Sequence, residues 1–182
     1  MIRLFVSLEM PALVRERLKL LCCDLPGARW ANPDQLHLTI RFIGEVEEPA
    51  FEEIREALDR VKMDPFDLEI RGVGHFPPRG QAKTLWAGTP RSEPLQLLHG
   101  LVDSALVRAG LAPEGRKFAP HITLGRLRGA PARAVASFLA QNALFREGPI
   151  RVDRFWLYSS QLSAKHAVHR PEAEYPLGGA LV

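Results

Sequence analysis

Six histidines stand in this 182-residue chain, at His37, His75, His99, His121, His166 and His169, and only four threonines, at Thr39, Thr84, Thr89 and Thr123. Two of the histidines have a threonine two positions on, as His37-Leu-Thr39 and His121-Ile-Thr123, where chance placement gives roughly 0.1 such pairs. In an extended strand, residues i and i+2 point to one face. Each motif therefore presents an imidazole and a hydroxyl together, with Leu38 and Ile40, or Ile122 and Leu124, on the face behind. Imidazole titrates near neutrality, so two of them can divide proton transfer, one neutral as base and one charged as acid. Hydroxyls donate to the non-bridging oxygens of a phosphate as charge rearranges. A solitary H-x-T reads as a β-branched strand with an incidental histidine; a duplicated one reads as a site for phosphodiester chemistry. No carboxylate cluster or Cys/His set accompanies the pair, which points to chemistry without a metal. His166-x-x-His169 lacks partner ligands and reads as strand.

Alternating strands and helices must position these motifs. Periodicity predicts strands at Arg3–Leu8, Gln35–Ile43 and Phe66–Val73, with helices at Pro11–Leu21 and Pro49–Val61 between them. A Gly/Pro loop, GHFPPRG, follows at 74–80. The pattern then repeats: strands at Lys83–Ala87, Phe118–Leu127 and Pro149–Tyr158, helices at Glu93–Ala109 and Pro131–Gln141, and an edge strand around Ala167–Tyr175. The halves align at one offset of 84 residues, which superimposes the two H-x-T motifs and lays Asp64–Leu68 (DPFDL) on Gly148–Val152 (GPIRV). The expectation is an α+β fold of duplicated β-α-β-α-β units related by a pseudo-twofold, with two antiparallel sheets lining a central cleft and helices outside. It forms a single bilobal domain over 1–182, with repeat one about 1–73, repeat two about 83–158 and a C-terminal strand about 166–176.

The charge is asymmetric. Residues 1–80 hold 11 basic and 14 acidic side chains, residues 81–182 hold 13 and 7, and Gly115 to Arg133 contains no acid while carrying Arg116, Lys117, Arg126, Arg128 and Arg133. Such a strip is either a solvated surface or a steering patch for an anionic partner such as RNA. Cys22 and Cys23 are neighbours that cannot staple distant segments, the N-terminus reads as a first strand rather than a leader, and no apolar run is long enough to span a membrane. A cytoplasmic, monomeric protein is expected.

The paired motifs resemble the 2H phosphoesterase superfamily. The wider pattern of RLFVSLE, Arg29-Trp30, QLHLTIRFIGEV, TLWAG, RKFAPHITLGRL and VDRFWLYSSQL resembles its bacterial RNA 2′,3′-cyclic phosphodiesterase branch, historically named 2′-5′ RNA ligase, over nearly the whole chain. That resemblance implies hydrolysis of RNA 2′,3′-cyclic phosphate ends to 2′-phosphates, a weak reversible 2′-5′ ligation, and no cofactor. It makes His37 and His121 the catalytic pair, sets Thr39 and Thr123 on the phosphate, and places Phe42 and Arg126, five residues after each histidine, at the nucleobase. Strict alternation disagrees over Phe42. It shares parity with Leu38 and Ile40 and should face the core, unless a bulge or strand end near Gly44 and Gly125 re-aims both side chains.

Sequence neighbours also suggest roles for the two rings. His37 lies near Asp34 and Glu45, which favour its charged form and the part of proton donor; His121 lies in the basic strip, which favours the neutral form and the part of acceptor. Trp30, Trp86 and Trp156 read as packing residues, His75 and His99 as surface or core residues, and Tyr158 to Ser160 as a strand end, with a role near the phosphate the less favoured alternative. Two other readings remain open: a cyclic phosphodiesterase acting on a small nucleotide such as ADP-ribose cyclic phosphate, and a protein that holds an RNA end without turning it over. Turnover of a nucleoside cyclic phosphate against an oligonucleotide bearing one separates the first. Holding phosphate alone would favour Arg and Lys over His, which argues against the second.

Overall fold

The computed structural model describes residues 1–163 and 167–178, so His166 lies outside the described residues. In chain order come β1 (Ile2–Glu9), α1 (Ala12–Lys19), β2 (Ala28–Trp30), a 3₁₀ turn (Pro33–Gln35), β3 (His37–Val46), α2 (Glu48–Asp59), β4 (Phe66–Arg71) and β5 (Val73–Phe76). The second half supplies β6 (Thr84–Gly88), α3 (Glu93–Arg108), β7 (His121–Leu127), α4 (Ala132–Gln141), β8 (Arg146–Val152), β9 (Arg154–Leu162) and β10 (Ala167–Pro176). Local chemistry accounts for the helix starts. Ser92 caps α3 by accepting from the Leu95 amide at 3.3 Å, and a proline occupies the first turn of both α2 and α3, where its missing N–H costs nothing. The apolar stripe Leu95, Leu98, Val102, Ala105 and Leu106 is what α3 buries.

Two stretches read as single strands are broken in the structure. Residues 66–73 turn at Gly72 (φ 71°), which separates β4 from β5, and the stretch 149–158 turns at Asp153 between β8 and β9. Residues 74–76 of the expected Gly/Pro loop continue as strand, so His75 belongs to β5. Gly74 hides that strand from a pattern reading because it has no side chain; a Cβ there would lie 2.3 Å from the Trp86 ring.

The strands form an eight-stranded antiparallel sheet in the order β10-β9-β1-β3-β7-β6-β5, with β2 beside β7, and a small β4–β8 pair. Among the described residues the two halves of the large sheet pair at Leu38↔Ile122, residues that are themselves 84 apart. The β4–β8 pair contains Asp67↔Arg151, again 84 apart and joined by an exposed ion pair at 3.3 Å. A residue facing its own repeat counterpart marks a twofold axis, as in an isologous dimer interface, so the pseudo-twofold runs through both pairs. The repeats exchange strands across it: β5 of the first half of the chain pairs β6 of the second, and β9 pairs β1. Each half-sheet is thus built from both repeats rather than one. A single connected core, including Val6, Leu38, Ile40, Leu98, Val102, Ile122, Leu124 and Phe155, backs the sheet.

Candidate active site

His37 and His121 open β3 and β7, one residue before the Leu38↔Ile122 contact on each strand. The strands are antiparallel there, which sets His37 on the side of Thr123 and Thr39 on the side of His121. All four side chains are half-buried, while Leu38 and Ile122 behind them are fully buried. One imidazole and one hydroxyl from each repeat therefore converge at the axis.

Bulges decide what joins them. Against β1, β3 slips register between Val6 and Ser7: Ser7 faces Thr39, but Val6 faces Arg41, leaving Ile40 as the extra residue. The same slip occurs in the other half, where Trp86 faces Thr123 but Leu85 faces Gly125, leaving Leu124 over. Ile40 and Leu124 are also 84 apart. One extra residue inverts the parity of everything beyond it. Phe42 comes to the face of His37 opposite Phe5 and is 64% exposed, so it is not a core residue. Arg126 comes to the face of Thr123 opposite Thr84, and it too is exposed. The side chain that turns inward is Arg41. It is buried, donating to Asp103 Oδ1 at 2.8 Å and to the Phe42 and Ala112 carbonyls at 2.6 Å each.

Both imidazoles are oriented alike. His37 Nδ1 lies 2.6 Å from the Gln35 carbonyl and His121 Nδ1 lies 2.7 Å from the Ala119 carbonyl, two residues upstream in each case. A carbonyl oxygen only accepts, so Nδ1 carries the hydrogen and Nε2 is left to take or give a proton. The walls differ. The His37 ring stacks on Phe5 (5.0 Å, 29°), which in turn carries Tyr158 (5.5 Å, 12°), and it meets His169 edge-on at 5.3 Å. His121 meets Phe76 edge-on at 4.8 Å, with Trp86 at 6.4 Å.

Burial pushes the His37 pKa down to about 4, with His169 and His121 adding to the fall and the bond to Gln35 opposing it. This reverses the direction expected from Asp34 and Glu45. Asp34 is exposed in the 3₁₀ turn, and Glu45 is spent on Arg3 at 2.9 Å. His169 is pushed down by burial as well.

The sequence reading missed the aromatic wall of Phe5, Phe76 and His169, and it took Trp86 for packing, although Trp86 stands beside His121. Strand pairing is the signal that finds them, and it is not local. Trp30 does pack: its indole donates to the Cys23 carbonyl at 2.8 Å and its ring lies on Phe138. His99 stacks flat on Phe118 at 4.1 Å. Ser159 is buried and bonds Glu172 at 2.5 Å. Among the described residues no three or more His, Cys, Asp or Glu side chains are grouped to hold a metal.

A duplicated α+β fold with a His-x-Thr motif on each side of a pseudo-twofold defines a two-histidine phosphoesterase. The chain belongs to the family described as LigT like Phosphoesterase, whose model matches twice, over residues 8–86 and 88–169. It is 32% identical over 158 residues to the RNA 2′,3′-cyclic phosphodiesterase of Thermotoga maritima, covering 86% of this chain and 83% of that one. The protein of the same name from Archaeoglobus fulgidus is 30% identical over 171 residues, covering 92% and 96%. The crystal structure of E. coli LigT complexed with 3′-AMP superposes with a TM-score of 0.78 at 25% identity, covering 98% of this chain and 99% of that one.

Proposed function

We propose that the chain hydrolyses RNA 2′,3′-cyclic phosphate ends to 2′-phosphate ends by paired-histidine acid–base catalysis, without a metal. The observation that carries this reading is the matched pair of rings flanking the pseudo-twofold, each with Nδ1 tied to a backbone carbonyl and Nε2 left to exchange protons. The names of the relatives support the substrate class.

Water attacks phosphorus opposite the departing 3′-oxygen. His121 Nε2 accepts the water proton, and His37 Nε2 donates one to the 3′-oxygen as the P–O3′ bond breaks, leaving the phosphate on the 2′-oxygen. The two histidines come from opposite sides of the axis, as in-line displacement requires. Thr39 and Thr123 donate to the non-bridging oxygens, and Phe42 and Arg126 receive the nucleobase. His37 is neutral in the free protein and takes up its proton once the phosphate anion is beside it, because a nearby negative charge favours imidazolium. A 5′-hydroxyl in place of water would give a 2′-5′ linkage by the same steps, the reversible ligation that the family resemblance implies.

The test is incubation of an RNA bearing a 2′,3′-cyclic phosphate with the protein in EDTA, beside a nucleoside 2′,3′-cyclic phosphate. A 2′-phosphate product from the RNA, undiminished by EDTA, is expected. A 3′-phosphate product, or turnover lost in EDTA and restored by a divalent ion, overturns the mechanism. Turnover of the nucleoside alone moves the substrate to a small cyclic nucleotide.

A further inference from the structure

The two catalytic rings of the proposed reaction occupy equivalent places, yet their edge-on neighbours are chemically unlike. His121 has the apolar Phe76 at 4.8 Å and 79°; His37 has His169 at 5.3 Å and 75°. Strand register explains the difference. Phe76 stands opposite Thr84 on β6, and the matching residue in the other half is Tyr158, opposite Phe5 on β1. Thr84 is small and lets Phe76 reach His121. Phe5 is large, lies flat between His37 and Tyr158, and keeps Tyr158 away. The edge-on place beside His37 is filled instead from β10, an edge strand beyond β9 with no counterpart in the β7-β6-β5 half. There His169 stands opposite Ser160, packs edge-on against Phe5 at 4.9 Å, and has a buried Nδ1 with no hydrogen-bond partner among the described residues. A buried polar nitrogen left without a partner is uncommon in a folded protein and calls for a reason.

We infer that His169 is a positioning residue that makes the two catalytic histidines unequal: it walls the His37 ring and, being titratable where Phe76 is not, sets the proton affinity of His37 apart from that of His121. This inference rests on the acid–base reading above. Burial does most to keep His37 neutral, and a proton on His169 would disfavour one on His37 further, so the two rings resist being charged together. The other groups around the pair are already engaged. Glu9, opposite His37 on β1, faces Arg15 at 3.5 Å; Arg3, opposite Ser160, pairs with Glu45; Glu172 on β10 accepts from Ser159; His121 lies across the junction.

Three variants test it. His169→Gln removes the titratable ring at similar length, His169→Phe restores the arrangement seen beside His121, and His169→Ala removes the wall. Imidazole titrations by NMR follow His37 and His121 directly, alongside the pH dependence of kcat/KM on a nucleoside 2′,3′-cyclic phosphate. In His169→Gln, His37 titrates about half a unit or more higher, the acid limb of kcat/KM moves the same way, and the His121 titration stays in place. His169→Ala lowers kcat about tenfold with KM little changed, and His169→Phe recovers most of that loss. An unmoved His37 titration in His169→Gln overturns the inference, as does an effect confined to KM, which would make His169 a substrate contact. The NMR readout needs no turnover, so it stands apart from the proposed reaction; that reaction fails separately if His37→Ala and His121→Ala keep wild-type activity.

Discussion

Replacing His37 by Asn removes a buried proton site while keeping a side-chain N–H that can reach the Gln35 carbonyl, the acceptor 2.6 Å from Nδ1. In the wild-type protein burial lowers the His37 pKa from its ordinary 6.5 to about 4. Between those values the unfolded chain holds a proton that the folded chain has released. The unfolded state is therefore favoured as pH falls through the window, and folding stability rises with pH across it. At about 1.36 kcal/mol per pH unit, with the window only partly entered at pH 7, acidification to pH 5 costs the folded state about 2 kcal/mol through this one ring. The cost reaches about 3 kcal/mol at pH 4. Other carboxylates and histidines add their own slopes, so the informative quantity is the difference between wild type and His37→Asn. Urea unfolding at pH 7 and pH 5 measures it. The wild type should lose about 2 kcal/mol more than the variant on acidification. Equal losses would show that folding leaves the proton affinity of His37 unchanged, and would refute burial as the force that sets it.

Removing either ring by His37→Ala or His121→Ala should lower kcat about 10²-fold or more in single-turnover assays, and Thr39→Ala or Thr123→Ala about 10-fold to 100-fold, since each hydroxyl is one donor among several. Phe42→Ala should raise KM several-fold while costing about 1 kcal/mol or less of stability, because the ring is 64% exposed; a loss of about 3–5 kcal/mol in thermal unfolding would mean a core residue instead. Arg41→Leu leaves Asp103 and the Ala112 carbonyl without their buried donor and should cost about 3 kcal/mol in urea unfolding, and an unchanged midpoint would deny the network any structural weight.

What the sequence determined here is what depends on short separations along the chain. Strand geometry alone puts His37 with Thr39 and His121 with Thr123 on single faces, because two residues of extended backbone return a side chain to the same side. The 84-residue offset carries the twofold, because both self-facing pairs, Leu38↔Ile122 and Asp67↔Arg151, obey it. Phe42 shows where this reach ends. Five residues after His37 it has the parity of the core, and the slip at Ile40 that turns it outward exists only in the pairing with β1, so no count along β3 contains it. The repeat also fades in β1 and β6. Ser7 and Trp86 occupy matching places but are 79 residues apart, so the Phe5 and Thr84 walls do not align at the offset that aligns the motifs.

Only the tertiary structure decided the electrostatics. The acidic neighbours of His37 in sequence act on other partners or on solvent. Its low proton affinity comes from desolvation beneath Phe5 and from His169, which is 132 positions away and reaches it through β9 and β1. Coulombic and burial effects depend on distance in space and on excluded water, and sequence separation reports neither. Strand exchange shows the same at the scale of the fold: β9 buries Phe155 and Leu157 beside β1, and β5 pairs β6, partners from the other repeat that no local propensity specifies.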